Sequence, residues 1–434
     1  MTTAKNNEHK KLNFSNEQEQ SQACLNSAEH EKNQGRKVLN VPNLRFKEFQ
    51  GEWEKCKLGD LCNVLMCKRI LASQTNTEEG VPFYKIGTIG NAPDAYISKE
   101  LFDDYKTKYN YPHKGEVMIT CAGTVGKCVI YDGKDAYYQD SNIVWIDNPS
   151  QCISNSFLYH LLAIVDWRKL NSTTIIRIYN DDLRNLKLSY PQIEEQQKIS
   201  RLLSLLDERI ATQNKIIDKL QSLIKGLEVN LLDNPLWEKT YLRSFMQFFS
   251  TNSLSWEQLS YKEGAIRNLH YGLIHGFQTR GINSASLPMI KNEAIPKQYT
   301  LCQVGDVAFA DASEDTGEIA KSVEFVDTIE GDTICGLHTI HGRDIKNRTV
   351  VGFKGFAFNS RYFHNQIKRL AQGTKVFSIT ANNLSSCYVY LPDLDTQTVI
   401  VRLLKSYEEQ LIIDRMIFKQ YEKQKQYLLR QMFI

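Results

Sequence analysis

Residues 190–232 read YPQIEEQQKISRLLSLLDERIATQNKIIDKLQSLIKGLEVNLL, and residues 391–433 read LPDLDTQTVIVRLLKSYEEQLIIDRMIFKQYEKQKQYLLRQMF. They are two copies of one pattern, 201 positions apart. In each, a proline (Pro191, Pro392) closes a short apolar run and a long helical pattern follows. The first copy places Ile199, Leu203, Leu206, Ile210, Gln213, Ile217, Leu220, Ile224, Leu227 and Leu231 at alternating steps of four and three. The second places Ile400, Leu404, Tyr407, Leu411, Asp414, Phe418, Tyr421, Lys425, Leu428 and Met432 in the same register. That spacing is a coiled-coil seam. A helix of about 40 residues spans roughly 60 Å, and two in one chain can bury their seams on each other. Each seam has one polar member at the same place, Gln213 and Asp414, a device that commonly fixes register. Gln196/Gln397, Arg201/Arg402, Leu202/Leu403 and Glu208/Glu409 also match, and the similarity begins near residues 172 and 373.

The repetition reaches beyond the helices. Trp53-Glu54-Lys55…Leu58 recurs as Trp237-Glu238-Lys239…Leu242, so each helix is preceded by a globular unit with a similar start. In the first unit, strand-like runs fall at Val117–Thr120, Cys128–Tyr131 and Ile143–Ile146. In the second they fall at Val307–Ala310, Lys321–Val326 and Gly352–Phe358, with glycines between. A Gly-acid-Val step opens one strand in each (Gly115-Glu116-Val117 and Gly305-Asp306-Val307). Helices are expected near Asn155–Leu170 and Asn359–Ala371. Residues 1–38 are poor in large apolar side chains, which predicts a disordered or weakly helical tail.

At 434 residues the chain has room for two or three domains. No apolar run approaches the ~18 residues that a membrane span needs, and the N-terminus lacks a secretory pattern. The ten cysteines include no CxxC pair, which predicts reduced thiols in a cytoplasmic protein. A net charge of +3 neither demands nor excludes a nucleic-acid partner, because clustering of the basic residues decides.

Motifs of catalysis fail on inspection. Gly123-Thr124-Val125-Gly126-Lys127 lacks the first glycine and the hydroxyl of a phosphate loop, with Cys121 and Cys128 at those places. It reads as a tight turn. Asp147-Asn148-Pro149-Ser150 and Asp233-Asn234-Pro235-Leu236 lack the second proline and the aromatic of an amino-methyltransferase motif, and read as turns. No glycine-rich S-adenosylmethionine loop is visible. His270, His275, His338 and His341 form no HExxH, and base or phosphate contact is the expected use of these histidines rather than metal binding.

This arrangement resembles the specificity subunit of type I restriction–modification systems. The carriers are the entry block Leu44-Arg45-Phe46…Glu52-Trp53, the Gly115–Lys127 stretch, and the twice-occurring strand–proline–heptad-helix segment, over about residues 40–434. The resemblance implies an α+β fold with internal duplication. Two mixed α/β target-recognition domains (39–190 and 233–391) would be separated by two long antiparallel coiled-coil helices (191–232 and 392–434). It implies a non-catalytic subunit that reads a bipartite site on double-stranded DNA. Two methylation subunits and the restriction subunits, translocating nucleases, would dock on it. S-adenosylmethionine, ATP and magnesium would belong to those partners, with no cofactor or metal in this chain and no membrane association. A coiled-coil interaction scaffold remains open as an alternative, as does an enzyme with an unrecognised site.

Basic and aromatic residues interleave on the expected loops, the composition of a surface that meets phosphates and base edges. The candidate contacts in the first unit are Arg69, Lys85, Lys106, Lys108, Lys127, Thr173 and Arg177. In the second unit they are Arg267, His270, Tyr271, Gln278, Arg280, Arg343, Thr374 and Lys375. Arg267–Arg280 has no sequence counterpart in the first unit, as expected if the two domains read different half-sites.

Overall fold

A computed structural model describes residues 39–169, 177–277, 280–327 and 331–434. The tail at 1–38 and the candidates Thr173 and Gln278 lie outside the described residues. The described residues form two compact units, one within 39–205 together with 425–434, and one within 206–424. The divisions fall inside the two long helices, Ile193–Leu232 and Leu394–Met432, so each unit comprises a globule and a part of both. No described helix is long and apolar enough to cross a membrane.

In the first unit an antiparallel sheet runs in the order Asn63–Leu65, Ile143–Asp147, Val117–Thr120, Cys128–Ile130. Successive residues of a strand face opposite sides of the sheet. Val117, Ile119, Val144 and Ile146 enter one core, and Met118, Ile143 and Trp145 enter the other. Burial on both faces is why these strands read as unbroken apolar runs. A smaller sheet follows, in which Phe83 and Tyr84 pair in parallel with Tyr137 and Tyr138. Glu54–Lys57 pairs with Lys187–Tyr190, joining the unit's start to its last strand.

The second unit repeats this plan. Its sheet runs Met246–Phe249, Thr339–Asp344, Val307–Ala310, Ser322–Phe325, with Gly281–Ile282 added at the edge. Val307 and Phe309 face one core, Ala308 and Ala310 the other. Glu238–Tyr241 pairs with Tyr388–Leu391. Arg267–Leu269 pairs in parallel with Thr333–Cys335, the pairing that residues 83–84 make with 137–138. The stretch without a sequence counterpart thus has a topological one. The Gly-acid-Val step is equivalent too. Gly115 and Gly305 take φ of +93° and +90°, a left-handed turn that favours glycine, and each donates its N–H to the end of the neighbouring strand, at Tyr131 and Phe325.

Two expectations are corrected. Gly352–Phe358 does not form a strand, since Phe353–Ala357 is helical and the third strand is Thr339–Asp344. The run is apolar because it is buried on all sides, its Lys354 paired with Glu324 at 2.9 Å, and a short buried helix has no period to distinguish it from a strand. The helix expected near Asn155–Leu170 ends at Ala163, followed by a short 3₁₀ turn at Trp167–Lys169. In the second unit the expected helix is Arg361–Leu370, capped by Ser360.

The helices are antiparallel. Within residues 206–424, Gln213 meets Asp414, while Leu227 and Leu231 share a core with Ile400 and Leu404. One helix therefore ascends as the other descends. Among the seam residues, Ile199, Leu203, Leu206, Gln213, Ile217, Ile224, Ile400, Leu404 and Asp414 are buried. Ile210, Leu220, Leu411 and Phe418 are half-buried.

The matched glutamines tie helix to globule identically. Gln196 accepts from the Ser154 N–H at 2.7 Å and donates to the Cys152 and Pro191 carbonyls at 2.9 and 2.8 Å. Gln397 accepts from Val350 N–H at 3.0 Å and donates to Arg348 and Pro392 at 3.0 and 2.9 Å. Replacing Gln196 by leucine strands a buried N–H and two carbonyls. A stability loss of about 1–3 kcal/mol is expected in urea unfolding, with Gln397→Leu giving a similar loss.

Candidate nucleic-acid interface

In both units, loops converge where the central strand leaves the sheet. After Thr120, the Cys121 N–H donates to Asn142 O at 2.8 Å, and Cys121 O accepts from Ile178 N–H at 2.9 Å. After Ala310, the Asp311 N–H donates to His338 O at 3.0 Å, and Asp311 O accepts from Ile379 N–H at 3.0 Å. Ile178 and Ile379 are 201 apart, so one backbone frame carries both clusters. Ser141 and His338 take left-handed φ of +47° and +53° within them. Such conformations cost free energy outside glycine and concentrate at functional sites.

The side chains on this common frame differ. The first unit offers Lys127 and Arg177. Arg177 lies 3.4 Å from Ser141 O and 5.9 Å from the Tyr179 ring. The glycine-rich loop forms the expected turn between two strands, closed by Gly126 N–H to Thr120 O at 2.8 Å. Lys127 folds back to donate its Nζ to Ile89 O at 2.5 Å. The second unit offers Tyr271, against His338 with ring centroids 5.3 Å apart, and Asp311, 3.0 Å from His338 Nδ1. Thr374 and Lys375 are exposed on the segment leading to Phe377–Ser378, which pairs with Ala312–Ser313. Asn142 and Asp311 are members of these clusters that the sequence candidates omitted, while His338 was among the histidines expected to meet bases or phosphates. The 201 offset that relates Ile178 to Ile379 does not relate their partners, so no sequence spacing singled out Asn142 or Asp311.

Other candidates lie elsewhere or are committed to the fold. Arg69 is exposed on a separate loop. Lys85 pairs with Asp94 at 3.0 Å, Lys106 with Asp135 at 2.9 Å, and Lys108 with Asp104 at 2.5 Å. Arg267 donates to Ala285 O and Leu287 O at 2.9 and 3.1 Å. His270 is buried, accepts from Gly272 N–H at 3.2 Å, and packs on Trp256. Burial, and then the charge of His338, hold its pKa below the usual histidine range. Arg343 grips Asp306 through two bonds of 2.8 and 2.7 Å. Burial alone would raise the Asp306 pKa, but the bonds from Arg343 and His341 outweigh it and hold the carboxyl low. Arg280 reaches Glu228 at 3.1 Å and Glu408 at 3.0 Å, one on each long helix. Arg267, Arg280 and Arg343 each tie parts of the second unit together, which charge in a sequence does not reveal.

The near-motifs are structural as well. Asn148 donates to Ile153 O and Asn155 Oδ1, and Asp233 accepts from Ser360 Oγ and Tyr362 N–H.

Comparison with known proteins follows the same geometry. Residues 50–222 match the model of the type I restriction modification DNA specificity domain. The chain is similar to that family over these residues and spans about half the length of the first curated relative it matches. It is 48% identical over 184 residues to a putative type I restriction enzyme specificity subunit of Haemophilus influenzae, an alignment that covers 42% of this chain and 45% of that protein. It is 23% identical over 419 residues to a putative type I restriction enzyme specificity subunit of Methanocaldococcus jannaschii, covering 91% of this chain and 95% of that one. The fold is shared with the S subunit of a type I restriction–modification system from M. genitalium, at TM-score 0.57 and 15% identity over 91% of this chain and 99% of the other.

Proposed function

We propose that this protein is a DNA specificity subunit that reads a bipartite target, one half-site through each loop cluster, and recruits separate methylation and restriction subunits to it. The observation that carries this is the pair of clusters built on one backbone frame with different side chains, Cys121, Asn142 and Arg177 against Asp311, His338 and Ser378. A shared frame gives both readers the same approach to the duplex, and different donors and acceptors give them different base preferences. The chemistry would lie with the partners, which would bring S-adenosylmethionine, ATP and magnesium. Two methylation subunits would cover the helices. Ile216 and Leu223 on one helix and Ile413 and Met416 on the other are 44–54% exposed, an apolar surface that a partner would bury.

Exchanging residues 39–190 for the same unit of a relative with a different target tests this. In the assembled methyltransferase, genomic methylation should change in one half-site and keep the other. A change in both halves, or in neither, rules out independent reading. A protein that binds methylation subunits but whose exchange leaves all methylation unchanged would be an interaction scaffold instead.

A further inference from the structure

The second unit holds a group of donors that DNA reading leaves unused. Cys302, Cys335 and His341 are all buried, and one donor atom from each lies within 4.8 Å of the others. They come from three segments that the sheets bring together. Cys302 donates its N–H to Thr333 O at 2.8 Å, Cys335 ends the strand Thr333–Cys335, and His341 pairs with Ala308 in the central sheet.

The sulfur spacing admits a metal, and the surroundings of His341 and Thr333 point to one. The two Sγ atoms are 3.6 Å apart, while two thiolates bound tetrahedrally at ~2.3 Å would sit ~3.8 Å apart. His341 Nε2 bonds to Asp306 Oδ2 at 2.7 Å, and Arg343 holds that carboxylate from the other side. A carboxylate behind the ring is the arrangement that orients a metal-ligating imidazole, and it leaves Nδ1 for the ion. Thr333 shares its strand face with Cys335, and its buried hydroxyl has no protein partner. Among the described residues, the first unit has no such group. Trp145 pairs with Met118 where His341 pairs with Ala308, and it is fully buried in an aromatic core. Where one copy packs a large indole, the other gathers sulfur and imidazole, the soft donor set of zinc.

We propose that Cys302, Cys335 and His341 form a structural zinc site in the second unit, with Asp306 as positioning carboxylate and a water held by Thr333 in the fourth place. The site is independent of the DNA-recognition reading. Thiolate is the ligand, so each thiol gives its proton to solvent as its bond to zinc forms. Before binding, the hydrogen bond with Cys302, and then burial, hold the Cys335 thiol protonated.

Full-length protein purified without chelator should contain about one zinc per chain. Exchange with cobalt(II) should produce a thiolate-to-metal charge-transfer band. The band should be absent in the Cys302→Ser/Cys335→Ser variant and present in Cys152→Ser, which alters an exposed thiol outside the group. If the double variant does not fold, the native protein still decides. Chelation should lower its melting temperature by several degrees, and added zinc should restore it. Native protein that holds no zinc, gives no cobalt band and melts unchanged with chelator would falsify the site. A Cys302–Cys335 disulfide found by peptide mapping of thiol-blocked protein would overturn it equally.

Discussion

Removing Leu428–Ile434 should unfold the N-terminal unit. Met432 and Phe433 lie in its core beside Trp53 and Phe157, with Leu428 and Leu429 packed against them. The Phe433 ring stacks on Phe157 with centroids 5.0 Å apart and meets the edge of Trp53 at 6.5 Å. Leu44 N–H donates to Gln431 O at 2.8 Å, so the entry block is pinned to the chain's last turn. Phe433→Ala alone should cost about 3–5 kcal/mol, a large part of the ~5–15 kcal/mol of an ordinary domain. The full deletion also removes Leu428, Leu429 and Met432 from that core. Limited proteolysis of the truncated protein should cut within residues 39–190 and spare 233–391. An N-terminal unit that stays as resistant as in the intact protein would contradict this. Leu232, the counterpart of Phe433 by the 201 offset, is buried in the core of the second unit, and Leu232→Ala should weaken that unit by about 2–5 kcal/mol.

Arg280→Ala should destabilise the second unit by about 3 kcal/mol, because it leaves two buried carboxylates without their cation. Glu228 and Glu408 are 13% and 7% exposed at their side chains. Burial raises both of their pKa values, opposed by the guanidinium. Without Arg280 the upward shift grows. A carboxyl whose folded pKa lies above its unfolded value of about 4.3 destabilises the fold at pH above the folded pKa and ceases to do so once protonated. The deficit of Arg280→Ala should therefore be greatest near neutrality and shrink as the pH falls toward that unfolded value. Adding Glu228→Gln and Glu408→Gln should recover part of the loss at neutral pH. If Arg280 were a phosphate contact alone, the substitution would weaken DNA binding and leave unfolding in denaturant unchanged at every pH.

What the sequence disclosed and what it hid follow from how local each signal is. The helices were legible because a seam repeated over ten positions cannot be mistaken for anything else. The central strands were legible because burial on both faces leaves uninterrupted apolar runs, as at Val117–Thr120 and Val307–Ala310. The same burial disguised the helix Phe353–Ala357. The placement of charged side chains was only half legible. Lys127, Arg177, Tyr271, Thr374 and Lys375 fall at the convergent loops, while Arg280 and Arg343 pair with Glu228, Glu408 and Asp306. Cys302, Cys335 and His341 were invisible as a group, since strand pairing across distant segments brings them together and no spacing records it.

Gln213 and Asp414 are counterparts in the duplication, and they touch, the Gln213 amide donating to Asp414 Oδ1 at 2.7 Å. In an antiparallel pair made from two copies, only one position can meet its own copy, and that position marks the internal twofold axis of the helices. A half-length ancestor pairing with itself would have placed like on like there. Two glutamines can satisfy each other across such an axis, whereas two aspartates would bury like charges side by side. With glutamine on one side and aspartate on the other, a donor meets an acceptor at that point. The contact makes the two copies complementary there, each a better partner for the other than for a second copy of itself.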